Sequence, residues 1–154
     1  MLLEPNPTNH CFGCGGANPR GMRLTFEQDD SVRRIRGMFR IGGDFQGGPG
    51  FVHGGIIATL LDEVMAKVNR FAQEIAMTAE LTVEYKKPVP INEDLIVEGW
   101  EIERNGRVRL REGEIRDASG VLLARGRGRF VAIDEARFAA LNAKGQPDSS
   151  KNAR

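Results

Sequence analysis

The chain has 154 residues, enough for one domain with a real core. Its formal net charge is +1, from 22 basic and 21 acidic residues, so no global field points to nucleic acid. No apolar run approaches the ~20 residues of a transmembrane helix, and Met1-Leu2-Leu3-Glu4-Pro5 lacks a signal peptide's basic and apolar regions, so a cytoplasmic protein with no membrane partner is expected.

Residues 1–21 read as irregular, with Pro5, Pro7, Pro19 and several glycines. Met22–Glu27 reads as a short strand, and Val32–Ile41 as a second in which arginines interleave with Ile35, Met38 and Phe39. Residues 42–50 form a loop with five glycines in nine positions. Gly55–Phe71 is the one strong helix. Four strands follow, Thr78–Lys86, Leu95–Arg104, Arg107–Asp117 and Val121–Ile133, with hairpin signals at Asn105-Gly106 and Ser119-Gly120. Asp134–Asn142 reads as a short helix capped by Asp134, ending a single domain over residues 1–143; residues 144–154 are polar and expected to be disordered. One helix ahead of a run of antiparallel strands is an α+β pattern.

The run His53-Gly54-Gly55-Ile56-Ile57-Ala58-Thr59-Leu60-Leu61-Asp62-Glu63 puts a Gly-Gly pair at a helix start and carboxylates inside the helix. Helix starts offer unpaired N–H groups and partial positive charge, which suit a developing oxyanion; a carboxylate further along can act as base or nucleophile. At ~100° per residue, Ile56, Ile57, Leu60, Leu61, Val64, Val68 and Phe71 form the core stripe. Gly55, Ala58, Asp62, Ala66 and Asn69 share a face of small residues, while Glu63 falls on a third edge with Lys67 and Arg70, the spacing of a surface ion pair. Asp62 is therefore the candidate functional carboxylate.

Gly54 and Asp62 are eight residues apart, roughly 12 Å along a helix. One carbonyl carbon cannot lie within ~3 Å of both. If both act on it they belong to different subunits, which implies a homodimer whose helices run antiparallel on their small-residue faces. Pairing of two dimers into a tetramer is left open.

The His53–Glu63 run resembles the signature of the hotdog-fold acyl-CoA thioesterases, particularly the phenylacetate-pathway thioesterase-like branch. So do Cys11-Phe12-Gly13-Cys14-Gly15 with Asn18-Pro19, Gln46-Gly47-Gly48-Pro49-Gly50 and Val83-Glu84-Tyr85-Lys86-Lys87-Pro88-Val89-Pro90, a similarity over roughly residues 10–133. The resemblance implies a hotdog fold, an antiparallel sheet wrapped around one long helix, and hydrolysis of an acyl-CoA thioester without a cofactor. It implies that Gly54 N–H holds the thioester oxygen with Gly55 beside it, and that Asp62 of the neighbouring subunit activates water or attacks the carbonyl. His53 would orient the loop or touch the thioester, and Thr78 would hold water or orient Asp62. Some relatives carry an Asn six residues before the His; here Gly47 stands there, with Gln46 beside it as a possible polar substitute. The first 21 residues are implied to fold over the substrate channel as a lid.

Coenzyme A needs cations for its phosphates. Residues 104–129 hold eight arginines against three acids, and Lys86 and Lys87 add to them, so Lys86, Lys87 and Arg107 are candidate phosphate ligands, although alternating charges also describe the wet face of a sheet. Cys11 and Cys14 lack a second Cys pair, and the only histidines are His10 and His53. A four-ligand metal site is therefore not expected, and the thiols read as small packing groups. The competing classes are a hotdog hydratase or dehydratase, disfavoured because no Asp-x-x-x-x-His is present, and a non-catalytic acyl-CoA sensor.

Overall fold

The computed structural model describes residues 1–145. Seven strands form one antiparallel sheet: β1 (Leu2–Leu3), β2 (Phe26–Asp29), β3 (Arg34–Arg40), β4 (Ile75–Tyr85), β5 (Asp94–Asn105), β6 (Val108–Asp117) and β7 (Leu122–Ile133). The order across the sheet is β1-β2-β3-β5-β6-β7-β4, so β4 lies at one edge. Helix α1 (Gly54–Lys67) packs against β3 to β7, and α2 (Glu135–Gly145) follows the last strand. This is the hotdog arrangement expected from the sequence. No helix among the described residues is long and apolar enough to cross a membrane.

Of the core stripe of α1, Leu60, Leu61 and Val64 are fully enclosed, Ile57 and Val68 nearly so, and Ile56 and Phe71 are partly buried against the core; Met65, outside that stripe, is enclosed as well. What lets the helix come so close is a feature of the sheet. Gly99 on β5 pairs with Gly113 on β6, which pairs with Gly126 on β7. A Cβ at Gly99 would lie 3.0 Å from the Val64 carbonyl, one at Gly113 3.3 Å from the Leu61 and Val64 side chains, and one at Gly126 3.3 Å from Leu61 and Met65. Three glycines in register thus make a shallow trough across the sheet, and α1 lies in it.

The far end of α1 is held by charge. Arg111 on β6 is fully buried; its guanidinium donates 2.9 Å to the Met65 carbonyl in the last helical turn and stands 4.7 Å over the Phe130 ring. Glu74 receives two 2.9 Å hydrogen bonds from Arg109 and two of 3.2 Å from Arg104, and lies 3.6 Å from Arg111. The Arg109 hydrogen bonds, then those of Arg104, hold the Glu74 carboxyl below its ordinary range. Most of the basic residues in 104–129 are spent in such pairs: Arg116 and Arg125 on Glu114, Arg127 on Glu112, Arg129 toward Glu80. The alternating-charge reading of these strands is the one observed.

The segment read as irregular over residues 1–21 contains the short strand β1, which pairs Leu2 and Leu3 with Glu27 and Phe26. Three further expectations shift. The strand expected over Met22–Glu27 begins only at Phe26, because Met22 and Leu24 donate their N–H groups to Phe12 and Gly13 of the N-terminal loop and Arg23 sits at φ +52°. The helix expected to reach Phe71 ends as α-helix at Lys67 and tightens into a 3-10 turn over Val68–Ala72, closed by Gln73 at φ +50°. Glu63 and Lys67 do not pair with each other: the Cys11 thiol donates to Glu63 Oε1 at 3.2 Å, and Lys67 Nζ donates to Cys14 Sγ at 3.0 Å. The N-terminal loop, which comes over this edge of α1, takes both. Burial, then the Glu63 carboxylate, pushes the Cys14 thiol up to about 12. Asp134 does cap α2, accepting the Arg137 N–H at 2.7 Å. Of the tail expected to be disordered, residues 144 and 145 instead complete α2, and residues 146–154 lie outside the described residues.

Gly99→Ala is expected to lower unfolding stability by about 1–3 kcal/mol, the usual cost of overpacking a close contact. Gly48→Ala, where a Cβ meets nothing within 4 Å, is the control and leaves stability unchanged. Urea titrations of both variants measure this.

Candidate active site

The helix start is built from His53. Its backbone (φ −58°, ψ 138°) is that of an N-cap, its carbonyl accepts the N–H groups of Ile56 and Ile57, and its Nδ1 accepts the Gly55 N–H at 2.9 Å. Three of the four amides of the first turn are therefore occupied. Gly54 N–H is the one with no partner among the described residues. His53 thus serves the backbone, and Gly55, expected to face substrate, gives its N–H to the imidazole. Gly47 lies under this turn: a Cβ there would stand 3.2 Å from His53 Cα. Gln46, the polar residue beside it, accepts the Gly50 N–H on its Oε1 at 3.3 Å and closes its own loop.

Two turns along, Asp62 is half-buried and accepts a 2.7 Å hydrogen bond from the Thr78 hydroxyl. Burial raises the Asp62 carboxyl above the ordinary aspartate range, Thr78 pulls it down, and the neighbouring Glu63 charge raises it. At the end of the same strand, Tyr85 donates its hydroxyl to the Gly54 carbonyl at 2.9 Å. So β4 touches α1 twice, once at the carboxylate and once at the carbonyl of Gly54.

These two contacts need a device. Thr78 and Tyr85 are seven residues apart, an odd number, and on a regular strand they would face opposite sides. The pairing of β4 with β7 shifts between Thr78 and Glu80, leaving Ala79 as an extra residue. Ala76 is buried before the bulge, and Leu81 and Val83 pack on the core after it. The inward face changes from even to odd positions at Ala79, and both hydroxyls point at the helix.

The sequence-predicted residues therefore divide. His53, Gly54, Gly55, Asp62 and Thr78 come together along one face of α1, with Gly47 and Gln46 in the adjoining loop. Tyr85 was missed as a site residue; only its place in the Tyr-Lys-Lys-Pro run hinted at it. Lys86 and Lys87 continue from Tyr85, Lys86 pairing with Glu84 at 2.6 Å. Arg107 is not brought to them: it caps the Ala132 carbonyl beside the start of β4, which at ~3.3 Å per residue lies roughly 30 Å from the Tyr85 end.

Thr78→Val removes the hydrogen bond that favours the ionised carboxylate and leaves burial in place. The Asp62 pKa is expected to rise further in this variant, measured by carbon-13 carboxyl titration. An unchanged value would mean that the hydroxyl does not act on the carboxylate.

Residues 49–124, from the loop before α1 into β7, match the family model described as the thioesterase superfamily. Acyl-coenzyme A thioesterase THEM4 of Rattus norvegicus is 43% identical over 77 residues, 50% of this chain and 33% of that protein, so the match spans only about a third of that relative's length. A crystal structure of a thioesterase superfamily protein is 34% identical with a TM-score of 0.74, covering 79% of this chain and 60% of that one. The E. coli PaaI protein from the phenylacetic acid degradation operon shares the fold at 17% identity, TM-score 0.63, over 66% of this chain and 74% of that one. With the hotdog architecture and the His-Gly-Gly helix start described above, the chain belongs to the thioesterase superfamily.

Proposed function

We propose that this chain hydrolyses an acyl-CoA thioester to the free acid and coenzyme A, with each active site shared between two copies of the chain. The observation that carries the reading is the pairing, on one unbroken helix, of a single unpartnered amide at Gly54 with a half-buried carboxylate at Asp62 held by Thr78. Support comes also from the rat relative, which is named an acyl-coenzyme A thioesterase.

The thioester oxygen accepts from Gly54 N–H and gains charge as the carbonyl carbon is attacked. In the general-base route, Asp62 of the other subunit takes a proton from water while the new C–O bond forms. The tetrahedral intermediate then collapses, the C–S bond breaks, and the leaving sulfur takes the proton back from Asp62. In the nucleophilic route Asp62 itself attacks, releasing thiolate and leaving an anhydride that water opens. Burial of Asp62 suits either, because it weakens the solvation of the carboxylate and strengthens its basicity.

Reach and an open sheet edge support the dimer. Gly54 and Asp62 stand roughly 12 Å apart in one chain at 1.5 Å per residue. β4 is an edge strand of 11 residues, with Met77 and Tyr85 about half exposed. Antiparallel pairing of two β4 strands joins the sheets and lays the two helices side by side, Asp62 of one near the helix start of the other. It also carries the Arg107 end of one subunit toward the Lys86–Lys87 end of the other, where the coenzyme phosphates would sit. The N-terminal segment closes over the channel in this reading.

Thiol release from a panel of short, long and aryl acyl-CoAs tests it. Wild type is expected to turn over at least one substrate, and Asp62→Asn to lose ~10²-fold or more. No release from any acyl-CoA overturns the reading. Full activity in a species that sedimentation shows to be monomeric overturns the shared site alone.

A further inference from the structure

The N-terminal loop carries the two thiols of the chain, and the fold brings a third ligand to them. Cys11 and Cys14 are unbridged and half-buried. Their Sγ atoms and a carboxylate oxygen of Glu63 all lie within 4.8 Å of one another. Glu63 is about fifty residues away in sequence, on α1, and it faces the loop because it follows Asp62 by one helical step of ~100°. The two neighbouring carboxylates thus serve different surroundings, Asp62 toward β4 and Glu63 toward the thiols.

The loop is tightly built around this cluster. Cys11 N–H donates to Asn9 Oδ1 at 2.7 Å, and Gly15 N–H to the Cys11 carbonyl at 3.0 Å. The backbone on either side is tied down by Gly16 N–H to the Asn6 carbonyl (2.9 Å) and Leu24 N–H to the Gly13 carbonyl (2.9 Å). A Cβ at Gly13 would stand 2.5 Å from the Glu63 side chain, and one at Gly15 would collide with Asn9 O and Cys11 N. Only glycine at these positions lets the two thiols and the carboxylate converge.

Two sulfur ligands and one oxygen ligand suit a borderline-soft divalent ion with tetrahedral preference. In such a site, with Zn–S of about 2.3 Å and Zn–O of about 2.0 Å, ligand atoms stand roughly 3.5–3.8 Å apart. The present cluster reaches that spacing by an adjustment of about 1 Å, which side-chain rotation supplies. Charge also balances. Two thiolates and a carboxylate exceed the ion by one negative charge, and the Lys67 ammonium, 3.0 Å from Cys14 Sγ, offsets it. Four described groups are then satisfied together, where the sequence offered only an isolated Cys-x-x-Cys.

We propose that Cys11, Cys14 and Glu63 bind a thiophilic divalent cation of the zinc class, with Lys67 as the cationic partner of the Cys14 sulfur and water in the fourth position. The ion clamps the N-terminal segment onto α1 beside, and not within, the face that carries Asp62. This goes beyond the hydrolytic reading and does not depend on it.

The test is a cobalt titration of the full chain, reduced, desalted and kept free of oxygen. Expected is about one Co²⁺ per chain, with a thiolate-to-cobalt charge-transfer band and the visible bands of tetrahedral cobalt, both lost on adding equimolar Zn²⁺. Cys14→Ser is expected to remove about half of the charge-transfer intensity, and Glu63→Gln to weaken binding by at least ~10-fold while keeping both thiolates. Absence of the charge-transfer band in reduced wild type at excess cobalt overturns the site, whatever the variants do. Binding in Glu63→Gln as tight as in wild type overturns the three-ligand set, and isolation of a Cys11–Cys14 disulfide that glutathione does not reduce overturns it in favour of a redox pair. Acyl-CoA turnover is not a readout here, so failure of the hydrolytic reading would leave this test standing.

Discussion

The close approach of one helix to one sheet governs the rest of this molecule. Gly99, Gly113 and Gly126 lie side by side on β5, β6 and β7, and α1 presses into the space their missing side chains leave. The depth of that trough sets the height of every residue on α1 above the sheet. It puts Met65 O within reach of Arg111, and Asp62 within reach of a strand hydroxyl. A helix standing an ångström or two higher would lose both contacts, since hydrogen bonds weaken steeply beyond their usual length.

The two ends of α1 are secured by different physics. At the start, His53 supplies an imidazole nitrogen to one orphan amide and a carbonyl to two others, leaving Gly54 alone. At the end, a buried guanidinium takes up a terminal carbonyl and is itself balanced by Glu74 and Glu101. A charge so fully enclosed costs desolvation, and its partners offset that cost only because they converge on it from several elements. The arrangement favours one position of the helix along its axis over neighbouring ones. That fixed position is what an unpaired amide and a carboxylate at a set spacing require.

Much of this was legible in the chain. The 3.6-residue period of Ile57, Leu60, Leu61 and Val64 and the two-residue period of Leu81, Val83 and Tyr85 are strong signals, and each fell on the element it indicated. Helical angles separated Asp62 from Glu63, and the structure gives them different partners. What could not be read were effects between elements. The bulge at Ala79 leaves no mark in composition, so Tyr85 could be placed on a face but not on Gly54. The glycines of β5, β6 and β7 look scattered in sequence and align only once strand register is known. The arginines of residues 104–129 resemble a phosphate-binding patch until their acidic partners on neighbouring strands are seen. Glu63 reads as a surface ion-pair partner of Lys67 because the loop that claims both is fifty residues upstream.

The strand order has a consequence for how such a chain is made. β4 is fourth along the chain but last across the sheet, and among the described residues its only neighbour in the sheet is β7. Tyr85 pairs with Ala124 and Ile75 with Ile133, so a nascent chain leaving the ribosome carries β4 unpaired until those later residues emerge. At about 5–20 residues per second, the stretch from Tyr85 to Ala124 takes roughly 2–8 s to synthesise. During that interval α1 can form, being local, while Thr78 and Tyr85 have no fixed sheet to hold them against it. The hydroxyls that orient Asp62 and Gly54 are therefore among the final contacts to be set, and the helix start and its carboxylate wait, already formed, for the strand that completes them.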